Sequence, residues 1–228
     1  MRIRGIALDL DGTLFGHAAV RRHMAMRIAA FAALHPRQGC EAMRAIRAYR
    51  EAQEQLRKSP GGNVASRQVE LAAERAGQPA ERVAATVRRW MEEAPLAAVR
   101  RARFPGVMEF FQWARSAGLP LAVVSDYPAR KKLDALELAP YITAIVTAQD
   151  ADVDSFKPNP AGLLKALALM AVEPHQAVFV GDRMEVDMAA AAAGGVPGVL
   201  LGNCSAAPAG FTSLPTWPAV RAWVAART

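Results

Sequence analysis

Gly5-Ile6-Ala7-Leu8-Asp9-Leu10-Asp11-Gly12-Thr13-Leu14 is the stretch on which the fold turns. Ile3, Ile6, Ala7 and Leu8 form a short aliphatic run of the kind a strand carries when both of its faces are buried. Two aspartates then follow two residues apart, with Gly12 directly behind them. In extended backbone, residues i and i+2 point to the same side, so Asp9 and Asp11 share one small volume as the strand ends. Parallel α/β sheets keep their sites at that edge. Two adjacent carboxylates repel, and holding both ionised calls for a cation; paired oxygens suit magnesium. The same residues also suit a strand closed by an Asp-Gly turn.

Composition narrows the classes. Lys plus Arg number 28 against 21 Asp plus Glu, a formal charge of +7, with an isoelectric point near 10.0. Such a balance suits nucleic acid, an anionic membrane or a phosphorylated substrate. Much of the excess is arginine scattered through alanine-rich helical stretches, as in Arg44, Arg47, Arg50 and Arg57, with no dense basic block carrying interleaved aromatics. That pattern reads as solvated helix face, and no nucleic-acid partner is expected. Cys40 and Cys204 are far apart and lack CxxC spacing, which supports neither zinc nor a disulfide framework and fits a reducing cytoplasm. The apolar runs break well short of the ~18 residues a membrane span needs, and the chain enters a strand at once, without room for a signal peptide. The expectation is a soluble cytoplasmic protein, monomer or homodimer.

Beyond Leu14 the pattern changes. Met24, Ile28, Phe31 and Leu34 are spaced for one helix face. Residues 36–39 read as a break, and 41–57 as a second helix. Ser59-Pro60-Gly61-Gly62-Asn63 is a loop, followed by helical runs over 66–76 and 79–93, which Pro95 interrupts. No strand pattern occurs between Leu14 and Arg103, so an all-helical insert is expected there. From Phe104 strand and helix alternate: a helix over 105–117 stopped by Gly118, a strand over 119–124, a helix over 129–136, and a strand over 142–147. A helix over 160–170, a strand over 177–180, an alanine-rich helix ending before Gly194-Gly195, and a last strand over 199–201 complete the series. The tail, with Pro208, Pro215 and Pro218 around Trp217 and Trp223, closes as a short helix on the core. The predicted fold class is α/β: a doubly wound, Rossmann-like parallel sheet with right-handed crossovers, carrying an inserted all-helical cap domain. The expected boundaries are 1–15 and 104–228 for the core and 16–103 for the cap.

Three later segments carry polar groups at strand ends. Ser125 follows Val123-Val124, where its hydroxyl and neighbouring N–H groups can hold a phosphate oxygen; Ser-Asp before Pro128 is also ordinary turn composition, and capping is the plain alternative for Asp126. Phe156-Lys157-Pro158 places a lysine before a helix. Gly181-Asp182-Arg183-Met184-Glu185-Val186-Asp187 ends another strand, although acids also favour a helix N-terminus for dipole reasons.

Taken together, Asp9-Leu10-Asp11-Gly12-Thr13-Leu14, Ser125, Lys157-Pro158 and Gly181-Asp182 with Asp187 occur in the order of the four signatures of the haloacid dehalogenase-like hydrolases, which this chain resembles over essentially its whole length. The resemblance implies that Asp9 is a nucleophile forming an aspartyl-phosphate and Asp11 a general acid/base. It implies that Ser125, Asp126 and Lys157 meet the substrate phosphate, with Lys157 also offsetting transition-state charge. Mg2+ would be held by Asp9, Asp182 and the main-chain carbonyl of Asp11, and Asp187 would orient the site from one layer out. The dehalogenases of the group lack an acid at the position of Asp11, which favours a phosphatase of a small phosphorylated metabolite, with a sugar phosphomutase or a non-catalytic binding protein as alternatives. A phosphonate-cleaving relative would need a cap lysine, and Lys58 is the insert's sole lysine. Phe15-Gly16-His17 replaces the hydroxyl-rich continuation of many phosphoglycolate-type enzymes, so substrate contact is expected to differ. His17 and the Ser59–Asn63 loop are candidates for that contact, and equally a surface group and a plain connector.

Overall fold

The computed structural model describes residues 2–58, 62–202 and 210–228. Ser59, Pro60 and Gly61 of the expected loop, with Cys204 and Pro208, lie outside the described residues. Six parallel strands, β1 (Gly5–Leu8), β2 (Leu121–Ser125), β3 (Ala144–Thr147), β4 (Ala177–Gly181), β5 (Gly198–Leu201) and β6 (Phe211–Leu214), form one sheet in the order β3-β2-β1-β4-β5-β6. The order reverses at β1, so the crevice beyond the carboxyl ends of β1 and β4 is the switch point where doubly wound sheets bind ligands. Register levels those ends: Leu8 lies beside Val123 on one side and Val180 on the other. Asp9, Ser125 and Asp182 therefore emerge on the same edge.

Helices cover both faces because alternate strand residues point opposite ways. Between β1 and β2 the chain forms α1 (His17–Leu34), α2 (Pro36–Lys58), α3 (Val64–Ala76), α4 (Ala80–Val87), a π-helical turn Arg88–Glu93, and α5 (Leu96–Arg101). The remaining α-helices among the described residues are α6 (Val107–Ser116), α7 (Arg130–Ala135), α8 (Ala161–Met170), α9 (Ala189–Ala193) and α10 (Trp217–Ala225). Ile6, Leu8, Val123 and Val180 pack towards Phe110 and Phe111 of α6 and Trp217 of α10. Ala7, Val124 and Phe179 pack towards Leu163 and Leu167 of α8 and Ala190 of α9. The insert has an alanine-rich core of its own, in which Ala45, Tyr49 and Ala52 of α2 meet Ala72 of α3 and Val83 of α4. Its entry and exit run side by side: the Gly16 N–H donates to the Ala102 carbonyl at 2.9 Å, and the Phe104 N–H to the Leu14 carbonyl at 3.1 Å.

Two expectations need correction. β5 is not the last strand, since β6 pairs with it in parallel; β6 is a half-buried edge strand reading Phe-Thr-Ser-Leu in a proline-rich tail, and it lacks the continuous apolar run that marks the inner strands. Residues 36–39 do not interrupt a helix, because Pro36 opens α2, where its missing N–H costs nothing. Gly39 lies inside that helix, and a Cβ there would overlap Ala32 of α1; the glycine serves the close crossing of two helices. The interruption expected at Pro95 is present, as a two-residue turn between the π-helical Arg88–Glu93 and α5.

Candidate active site

Asp9 leaves β1 with its N–H donating to the Val180 carbonyl at 2.9 Å, which ties it to β4. The residue is 6% exposed. One carboxylate oxygen accepts a hydrogen bond from the Lys157 ammonium, and the other accepts from the Thr13 hydroxyl at 2.9 Å. The same hydroxyl lies 3.4 Å from Asp182 Oδ1. Gly12 makes this closeness possible. Its φ is +105°, a left-handed conformation that glycine tolerates at little cost, and a Cβ would collide with the Asp182 carboxylate. From the far end of the chain, the indole N–H of Trp217 donates to the Thr13 carbonyl at 3.1 Å and pins the loop.

Lys157 is buried between carboxylates. It donates to Asp9 and, at 2.7 Å, to Asp187 Oδ1. Asp187 is 1% exposed, and its second oxygen accepts from the N–H groups of Asp182 and Arg183 at 3.2 and 3.1 Å. Its acceptors are thus engaged in holding Lys157 and the turn that presents Asp182. Burial works against the charge on Lys157, but Asp9 and Asp187 outweigh it and hold the ammonium pKa above its ordinary value. Burial, then the charge of Asp187, raises the pKa of Asp9; the same two causes push Asp182 up to about 6. Three carboxylates, of Asp9, Asp182 and Asp187, share this volume with one lysine, and one oxygen from each lies within 4.8 Å of the other two. That surplus of negative charge, on hard oxygen donors, fits a divalent cation of the magnesium type.

Asp11 stands apart from this cluster. Both its oxygens accept from Lys132 of α7 at 2.7 Å, and Lys132 is 8% exposed. Ser125, at the end of β2 and buried, accepts the Tyr127 N–H on its hydroxyl oxygen at 3.2 Å, leaving the hydroxyl hydrogen available to a ligand. Asp126 was expected at the substrate; it borders the cavity, but its two oxygens accept the Lys157 N–H at 3.1 Å and pair with Arg57 of α2 at 3.0 Å. Arg57 also donates to the Lys157 carbonyl. Tyr127 donates to Gln53 of α2, and Gln149 donates to the Tyr49 hydroxyl at 3.0 Å. Asp154 accepts the N–H groups that open α3, that of Val64 at 2.6 Å. The Asn63 end of the expected selection loop thus docks insert on core. His17 is largely exposed at the start of α1 and lines the cavity; desolvation by the protein atoms around it lowers its pKa. Lys58 is not among the residues lining the cavity.

Lys132, Arg57 and Tyr127 carried no assignment at this site from sequence. Lys132 had a readable signal: it falls with Ala129, Leu133 and Leu136 on one helical stripe, and those three are fully buried. A lysine on an apolar stripe points inward. Nothing in a linear reading pairs Arg57 with Asp126, which are distant in sequence.

The site lies in a cavity of about 650 Å³ between the strand ends and the insert. No helix among the described residues is long and apolar enough to cross a membrane. A family model of haloacid dehalogenase-like hydrolases matches residues 3–195. A phosphoglycolate phosphatase of Shigella dysenteriae is 30% identical over 215 residues, covering 86% of this chain and 80% of that protein. Among solved structures, a 2-haloacid dehalogenase of Pseudomonas syringae superposes with a TM-score of 0.67 at 21% identity, covering 99% of each chain. A phosphatase of the same superfamily from Thermococcus onnurineus gives 0.62 at 18% identity, covering 99% of this chain and 100% of that one.

Proposed function

Because the chain belongs to the haloacid dehalogenase-like hydrolases, we propose that it is a magnesium-dependent phosphohydrolase working through an aspartyl-phosphate on Asp9. In this reading residues 16–103 act as the cap and 1–15 with 104–228 as the core. The observation that carries the proposal is the state of Asp9: a buried carboxylate at the switch point, aimed by Lys157 and Thr13, with Asp182 beside it. The curated relatives named phosphoglycolate phosphatase support a phosphate monoester as substrate.

An Asp9 oxygen attacks phosphorus, the ester P–O bond breaks, and the leaving alkoxide takes a proton from Asp11. Water then attacks the phosphorylated Asp9, gives its proton to Asp11, and inorganic phosphate departs with the P–O bond to Asp9 broken. Before the first step Asp11 has to hold a proton, so the arriving phosphate has to draw the Lys132 ammonium towards itself and away from that carboxylate. Ser125 and Lys157 hold phosphoryl oxygens. Asp9 and Asp182, with the Asp11 carbonyl, would hold the metal, and Asp187 would brace the turn that carries Asp182. A bound magnesium supplies positive charge that lets an anionic nucleophile and a phosphate dianion approach. The contacts of Arg57, Gln53 and Tyr49 with the core keep bulk water from the reacting atoms while the cap is closed. A reducing, cytoplasmic setting suits the sparse cysteines.

Release of phosphate from p-nitrophenyl phosphate, assayed with magnesium and with chelator, tests this reading. Turnover that requires magnesium and disappears in Asp9→Asn is the expected result; equal turnover in both proteins would overturn it.

A further inference from the structure

The catalytic groups occupy one end of the cavity, and a phosphoryl group with a two-carbon ester would leave most of its roughly 650 Å³ unfilled. That volume lies in the range of sites that enclose drug-sized ligands, about 300–1,000 Å³. Its far wall is apolar: Met24 and Ile28 of α1, Ile46 of α2, Trp90 of the π-helical turn and Val99 of α5. Four of these five belong to the buried core and Ile28 packs against them, so they form a fixed surface. Met43, 46% exposed, extends it.

Charges also border the cavity, Arg21, Arg47, Glu51 and Glu92 among them. On α2, Arg47 is paired with Glu51 at 2.8 Å, and Arg57 with Asp126 and Glu54 at 3.0 and 3.3 Å. Arg50 acts electrostatically on both His17 and Tyr127, each of which also senses Asp11. Lys132 and Lys157 hold fixed positive charge beside Asp11 and Asp9, while Arg47 is engaged with Glu51 on the exposed face of α2. A ligand matching both ends has an anionic head and an apolar body.

Resting on the phosphohydrolase reading, we propose that the substrate is a soluble phosphate monoester of an apolar alcohol, its phosphate at Asp9 and its hydrocarbon body along the Met24–Ile28–Ile46–Trp90 wall. Burying each added methylene against such a wall raises kcat/KM by roughly two- to fourfold until the chain fills the space.

The test is hydrolysis of methyl, butyl and octyl phosphate by the intact protein with magnesium. A kcat/KM that climbs with chain length is expected, with octyl phosphate at least about a hundredfold above methyl phosphate. Turnover of methyl phosphate with a flat or falling dependence on length overturns the apolar-body proposal and leaves the phosphohydrolase standing. No turnover of any of the three, nor of p-nitrophenyl phosphate, overturns both. Ile28→Asn sharpens the result through a ratio within one protein: the octyl-to-methyl preference falls at least about tenfold in a variant whose melting curve remains cooperative. An unchanged preference counts against the wall. Calorimetric binding of octylphosphonate to Asp9→Asn provides a readout without turnover, with a negative heat-capacity change expected and its absence weighing against burial of the chain.

Discussion

At the strand ends, a chain of hydrogen bonds links Thr13, Asp9, Lys157 and Asp187; across the cavity, Met24, Ile28 and Ile46 line an apolar wall. The first region is over-determined. Asp187 alone braces Lys157 and the N–H groups of two neighbours, so its side chain has little freedom to turn. The second region tolerates different occupants, because dispersion and burial of area set few directional demands. The difference teaches how one fold separates reaction from selection. Charge transfer needs groups fixed to fractions of an ångström, and strands supply them; a variable substrate body needs volume and a surface, and an inserted helical layer supplies those.

The comparison can be broken at several points. The largest effect is expected from Asp9→Asn, which lowers kcat by roughly 10⁴-fold or more in single-turnover assays. Its melting temperature in metal-free buffer at neutral pH is not expected to fall, since a carboxyl group whose pKa burial raises above its unfolded value costs the fold stability at every pH above that unfolded value. A large drop in melting temperature would instead make Asp9 a structural group. Next comes Lys132→Met, expected to lower kcat about 10²-fold by removing the cation that Asp11 holds and the arriving phosphate takes up. If the two act as a unit, the double variant Lys132→Met/Asp11→Asn is no slower than Asp11→Asn alone; additive losses would separate them.

Gly12→Ala follows. Its positive φ and the collision with Asp182 are worth about 1–3 kcal/mol, so kcat falls roughly tenfold and the melting temperature by a few degrees, read by calorimetry. Tyr127→Phe is the smallest. It removes one hydrogen bond between insert and core, about 1 kcal/mol, and raises KM roughly fivefold with kcat nearly unchanged. A change in kcat alone would place Tyr127 with the reacting groups rather than with cap closure.

Legibility in the sequence followed the same division. The parallel core was readable because β1, β2 and β4 are short runs buried on both faces, each ended by its polar group. β6 was not, because an edge strand needs only one partner and carries no comparable run. Gly39 looked like a helix break and turned out to be a packing contact, which a helix shows only when its neighbour is in place. Asp126 read as a phosphate contact or a cap, and the fold brings it to Arg57 and the Lys157 backbone.

By itself, the sequence determined an α/β chain with a helical insert, and it named the acidic residues, the serine and the lysine that gather at one sheet edge. It could do so because period and order are local properties of a chain, and every parallel strand delivers its C-terminal residues to the same edge. The tertiary structure alone decided the pairing of Lys132 with Asp11, the brace from Arg57 to Asp126, and the volume and apolar lining of the cavity. Those depend on how far apart the insert and the core are held. That separation is set by the packing of five helices together, and no stretch of the chain encodes it alone.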